Sequence, residues 1–159
     1  MPKFAIESNG RIEKTAVYYN GEQVAGVKEV FLNLGEDGTF DAVVQYLGSD
    51  GTLHAKQIFV DHMDALKTMS ASFTEEEAQQ LQLLCVESSG EIENSVVTIN
   101  DQPLDGITSL IVHIKAPEKL DGGGLRSLFS TKKIPEYTDF KAEMTFRNED
   151  GSLSTENVF

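Results

Sequence analysis

From Phe40 to Leu47 the chain alternates: Phe40, Ala42, Val44 and Tyr46 fall on one side of an extended backbone, and Asp41, Val43, Gln45 and Leu47 on the other. The stretch from Phe140 repeats this more cleanly, with Phe140, Ala142, Met144 and Phe146 set against Lys141, Glu143, Thr145 and Arg147. A period of two means one buried and one wet face, as in an antiparallel sheet. Val30, Leu32 and Leu34, with Leu110, Val112 and Ile114, give a second inward row. Val17 with Tyr19, and Val97 with Ile99, give a third.

The rows match because the chain is written twice. Residues 5–34 align without a gap onto 85–114, and residues 40–59 onto 140–159. Glu7/Glu87, Ser8/Ser88, Gly10/Gly90, Asn20/Asn100, Gly26/Gly106, Phe40/Phe140, Asp50/Asp150 and Phe59/Phe159 are identical pairs. Two related halves in one chain imply two similar substructures about a pseudo-two-fold axis. Turn signals agree with this. Asn20-Gly21 is a strong hairpin signal because both residues tolerate positive φ. Asp37-Gly38, Asp50-Gly51 and Asp150-Gly151 each lie between strand-like runs. The pattern predicts five short strands per copy, at about 4–7, 11–19, 24–34, 39–47 and 52–60, then about 84–88, 91–99, 104–114, 138–147 and 152–159.

Between the copies, Thr74-Glu75-Glu76-Glu77 is a capping box, with Thr74 as N-cap and Glu77 at the third helical position. Ala78, Leu81 and Leu84 would be the apolar stripe of that helix, and Met63, Leu66 and Met69 suggest another short helix from near Asp61. The organisation is a first β repeat at 1–60, a helical connector at 61–83 and a second repeat at 84–159 that carries an inserted loop, 115–134. The expected fold is mainly β: two similar antiparallel β-meanders from an internal duplication, packed face to face or edge to edge as a pseudo-two-fold sandwich with a short helical connector. Phe40, Val44, Tyr46, Phe140, Met144 and Phe146 should line the central core.

Charge narrows the function classes. The 159 residues hold 13 Lys and Arg against 26 Asp and Glu, a net charge of −13. A surface this acidic repels phosphate backbones and anionic lipid, so neither nucleic acid nor membrane is an expected partner. The one cysteine, Cys85, rules out an internal disulfide and a cysteine-based zinc site, and its place opposite Ala5 in the alignment reads as inert core. No apolar run approaches the ~18 residues of a membrane span, and the opening Met1–Ala5 enters a strand without a leader pattern. A cytoplasmic location follows as the expectation.

The candidate chemistry is sparse. Asp61-His62-x-Asp64, with His54 at the far end of the preceding strand, offers ligands for a cation, but the cluster reads better as a solvated terminus. Glu7-Ser8-x-Gly10-x-x-Glu13 and its copy Glu87-Ser88-x-Gly90-x-x-Glu93 could support acid–base work. Their presence in both halves points instead to a shared structural job, with Ser8 and Ser88 bonding turn amides. No nucleophile elbow, phosphate loop or dinucleotide fingerprint occurs, and no cofactor is expected. The run Val97–Leu110 resembles a hairpin common in small β proteins of phage and prophage particles, and the resemblance implies an assembly role without carrying over any residue.

The insertion is where the pseudo-symmetry breaks. From Lys115 to Lys133 it has five basic residues and two acidic ones in an otherwise acidic chain. Gly122–Gly124 would form a hinge, Leu125, Leu128 and Phe129 a small apolar face, and Arg126, Lys132 and Lys133 a positive flank suited to an acidic partner surface. The expectation is therefore a non-enzymatic structural or protein-interaction module, an assembly protein that binds a protein partner or itself through Leu125, Arg126, Leu128, Phe129, Lys132 and Lys133. The rival expectation is a small-ligand or divalent-cation-binding protein that uses the groove between the two halves, with acidic residues and His54 or His62 as contacts.

Overall fold

A computed structural model describes residues 2–11, 14–91, 94–104, 106–115 and 140–159. The first copy supplies β1 (Lys3–Ser8), β2 (Ala16–Tyr19), β3 (Glu22–Gln23), β4 (Val27–Gly35), β5 (Phe40–Leu47) and β6 (Leu53–Gln57). One helical turn, α1 (Glu75–Ala78), follows. The second copy supplies β7 (Gln82–Glu87), β8 (Val96–Ile99), β9 (Gln102–Pro103), β10 (Ile107–Lys115), β11 (Phe140–Arg147) and β12 (Leu153–Asn157). These form two six-stranded antiparallel sheets, ordered β3-β2-β1-β7-β8-β9 and β12-β11-β10-β4-β5-β6. The chain is the mainly β sandwich its repeat predicts.

The halves meet edge to edge within each sheet, and the sheets meet face to face. Along β1–β7 the residue that faces its own copy is Ala5, opposite Cys85. Along β4–β10 it is Leu32, opposite Val112. These two pairs mark where the pseudo-two-fold axis pierces the sheets. Cys85 is buried at the first of them, and burial pushes its thiol pKa up, as expected of core rather than a nucleophile. Ile6, Leu32, Tyr46, Leu84, Leu110 and Val112 are fully buried between the sheets. Of the predicted core, Val44, Tyr46 and Met144 are buried, while Phe40, Phe140 and Phe146 pack against it from partly exposed positions. Phe40 meets Phe59 edge-on at 5.8 Å, and Phe140 meets Phe159 at 5.9 Å, so the copies match down to ring contacts.

The serine turns match as closely. The Gly10 amide donates to Ser8 Oγ at 3.0 Å, and Gly90 to Ser88 Oγ at 3.0 Å. Thr15 and Ser95 give their hydroxyl protons to the carbonyls of Arg11 and Glu91, at 2.6 and 2.7 Å. Ser8 and Ser88, each 2.8 Å from those hydroxyls, are therefore the donors to them. Both serines are fully buried and satisfied, which is the structural role expected of them.

Several local expectations change. Each copy has six strands, because the run expected at 24–34 breaks at Gly26 (φ +77°), where the chain leaves one sheet for the other. No helix forms near Asp61. The Asp61 carboxylate accepts from the Gln57 amide at 2.8 Å, Ala65 has φ +54°, and Met63 and Leu66 drop irregularly against the core. The capping box is present, with the Glu77 amide donating to Thr74 Oγ1 at 3.2 Å, but α1 stops at Ala78. Leu81 is buried beyond its end, and Leu84 belongs to β7 opposite Ile6, so the two do not continue a helical stripe.

The three Asp-Gly turns are hairpins closed by their aspartates. Amide donation from Thr39 holds the Asp37 carboxyl below the usual carboxylate range. The Thr52 amide, then His54, does the same for Asp50; for Asp150 it is the Ser152 hydroxyl and then its amide. A carboxyl lowered on folding stabilises the fold above its unfolded pKa of about 3.9, and that contribution is lost as pH falls through the lower folded value. Asparagine keeps the amide acceptor but removes the titration. The triple variant D37N/D50N/D150N should therefore lose less melting temperature than wild type as pH is lowered below about 4. Parallel Tm–pH profiles would show that the turns do not drive acid sensitivity.

Candidate functional site

On the outer face of the second sheet the polar row is interrupted. Register places Lys141 opposite His113, His113 opposite Phe31, Phe31 opposite Val43 and Val43 opposite Gln57, a ladder across β11, β10, β4, β5 and β6. Phe31, Val43, Ala55 and Ile111 floor an open groove of about 560 Å³, and Glu29, Gln45, His113 and Lys141 rim it. His113 Nε2 lies 2.6 Å from Glu29 Oε2, a contact between the two halves. The His113 ring meets Phe31 edge-on at 6.0 Å. The groove thus spans the β4–β10 seam.

The groove straddles the axis but is not symmetric about it. Phe31 and Ile111 are copies of each other, but the copies of His113, Lys141 and Val43 are Asn33, Asp41 and Glu143. The symmetry-related position therefore carries two carboxylates where the groove carries Val43 and Lys141. Lys115 lies opposite Glu29 in register, beyond the groove's lining residues. The ion pairs among the described residues include neither Lys115 nor Lys141.

The other candidates are structural or lie elsewhere. His54 pairs with Asp50 at 3.1 Å and stacks on Tyr46, while exposed His62 sits 3.6 Å from Asp64. Among the described residues no group of three or more His, Cys, Asp or Glu side chains is placed to hold a metal ion. Glu7 accepts from the Tyr18 hydroxyl at 3.0 Å. Burial, then that bond and the Glu7 charge, push the Tyr18 pKa up to about 12, so it stays a neutral donor. The partners expected in the acid–base reading, Glu13 and Glu93, lie outside the described residues. So do Leu125, Arg126, Leu128, Phe129, Lys132 and Lys133, which leaves the insertion's expected role where the sequence put it. Among the described residues no helix is long and apolar enough to cross a membrane.

No family model, no curated protein and no solved structure matches this chain. The function must be read from the groove.

Proposed function

We propose that this protein is a non-enzymatic protein-interaction module, and that its partner seats an apolar side chain flanked by a carboxylate in the groove over Phe31, Val43 and Ile111. One observation carries the reading: in an otherwise acidic protein, an apolar floor lies beside Lys141 and the His113–Glu29 pair, with Lys115 next along the outer face of β10. Apolar area supplies affinity in such a contact, while the cations supply steering and selectivity.

The test begins with affinity capture from the native host, followed by binding of the purified partner at several salt concentrations. Phe31→Asp and Lys141→Glu should each weaken that binding about tenfold or more, and added salt should weaken the wild-type complex. A partner held equally by wild type and both variants would overturn the reading.

A second reading has its own support. The groove's volume falls within the ~300–1,000 Å³ of small-molecule sites, and both halves line it. A metabolite at 100 times its dissociation constant adds about 2.7 kcal/mol of stability. A thermal shift that disappears in Phe31→Asp would favour this ligand role over a protein partner.

A further inference from the structure

The two sheets expose four edges, and three are at least partly closed. The β3 edge is covered by the connector, which bridges Val24 to Thr68 and bonds the Ala25 amide to the Lys67 carbonyl at 2.9 Å. Gln23 fastens it, donating to Ser72 Oγ at 2.7 Å and accepting from the Ser72 amide at 2.8 Å. Its copy in β9 is Pro103, which has no amide to offer. On β6 the Asp61 carboxylate takes the Gln57 amide, and the amides of Val60 and Asp61 take its carbonyl.

The β12 edge has none of these devices among the described residues. The Val158 amide bonds Ala142, and Asn148 bonds the Ser152 carbonyl, so the alternate residues between them, Leu153, Thr155 and Asn157, direct their backbone groups away from β11. Leu153 is 60% exposed beside them. An edge that no described residue covers is a template for another strand.

We infer that the β12 edge pairs antiparallel with β12 of a second copy of this chain, with Thr155 on the new two-fold axis. The side-chain pairing of two identical strands is compatible with this occupant. Self-pairing about Thr155 sets Ser154 opposite Glu156 and Leu153 opposite Asn157, so no like charges face each other. The same pairing of β6 would set His54 opposite Lys56, whose ammonium is already held by Asp64 at 2.7 Å. The contact is isologous and closes as a dimer.

Thr155→Pro tests it, because proline removes an amide that faces outward and leaves the β11 bonds intact. Light scattering should give wild type twice the 17.5 kDa chain mass at high concentration, with the dimer favoured by salt that screens the net charge. Thr155→Pro should remain monomeric, and Ala55→Pro, the same change on β6, should still dimerise. Independently of any variant, hydrogen exchange at the Thr155 amide should slow as wild-type concentration rises. A wild type that stays monomeric at millimolar concentration, concentration-independent exchange at Thr155, or higher oligomers dissolved by Ala55→Pro would each overturn the inference.

Discussion

Replacing Leu32 by alanine should lower the unfolding free energy by about 2–5 kcal/mol, a large part of the ~5–15 kcal/mol that holds a domain together. Leu32 is fully buried, faces Val112 across the seam and Ala42 on its other side, and sits where the pseudo-two-fold axis crosses the second sheet. Its neighbours belong to both copies and to rigid strands, so the cavity cannot collapse from one side alone. Urea unfolding should show a lower midpoint with an unchanged slope. A loss under about 1 kcal/mol would mean that the seam is not where the fold stores its stability.

The second large effect separates the copies. Gly26 and Gly106 share φ +77°, so alanine at either takes on left-handed strain of about 1–2 kcal/mol. At Gly26 the added Cβ would also stand 2.7 Å from the Leu47 carbonyl oxygen, whereas at Gly106 the nearest atom, the Arg147 carbonyl oxygen, is 3.5 Å away. The Leu47 carbonyl is backbone within a sheet and cannot step aside, so Gly26→Ala should cost about 1–3 kcal/mol more than Gly106→Ala. Equal midpoint shifts in the two variants would refute this asymmetry.

Repetition made the fold legible. Matched alternation at Phe40–Tyr46 and Phe140–Phe146 gave each strand two independent readings, and the axis follows from the constant offset between copies. An alignment of repeats does not say where a chain passes between sheets. Val24 and Val27 both look like one apolar strand, and only the positive φ of Gly26 divides them. Met63, Leu66 and Met69 mimic a helical stripe because an irregular segment that dips twice into a core produces the same spacing. The groove had a signal that alternation alone obscures: Phe31 and Ile111 are apolar on the face that should be wet, in both copies. His113 and Lys141 are 28 positions apart and meet only through the β10–β11 register.

Because each sheet takes three strands from each copy, a chain with one copy would hold half of either sheet, its β1 and β4 edges bare. Two such chains could complete each other, but only at a concentration that outweighs the cost of association. The connector between β6 and β7 replaces that concentration with a fixed, millimolar-scale effective one, so folding no longer depends on dilution. It also frees symmetry-related positions to diverge: a homodimer would have to carry Lys141 and Asp41 as one residue, whereas the tethered pair keeps a cation and a carboxylate at matched positions on the outer face of one sheet.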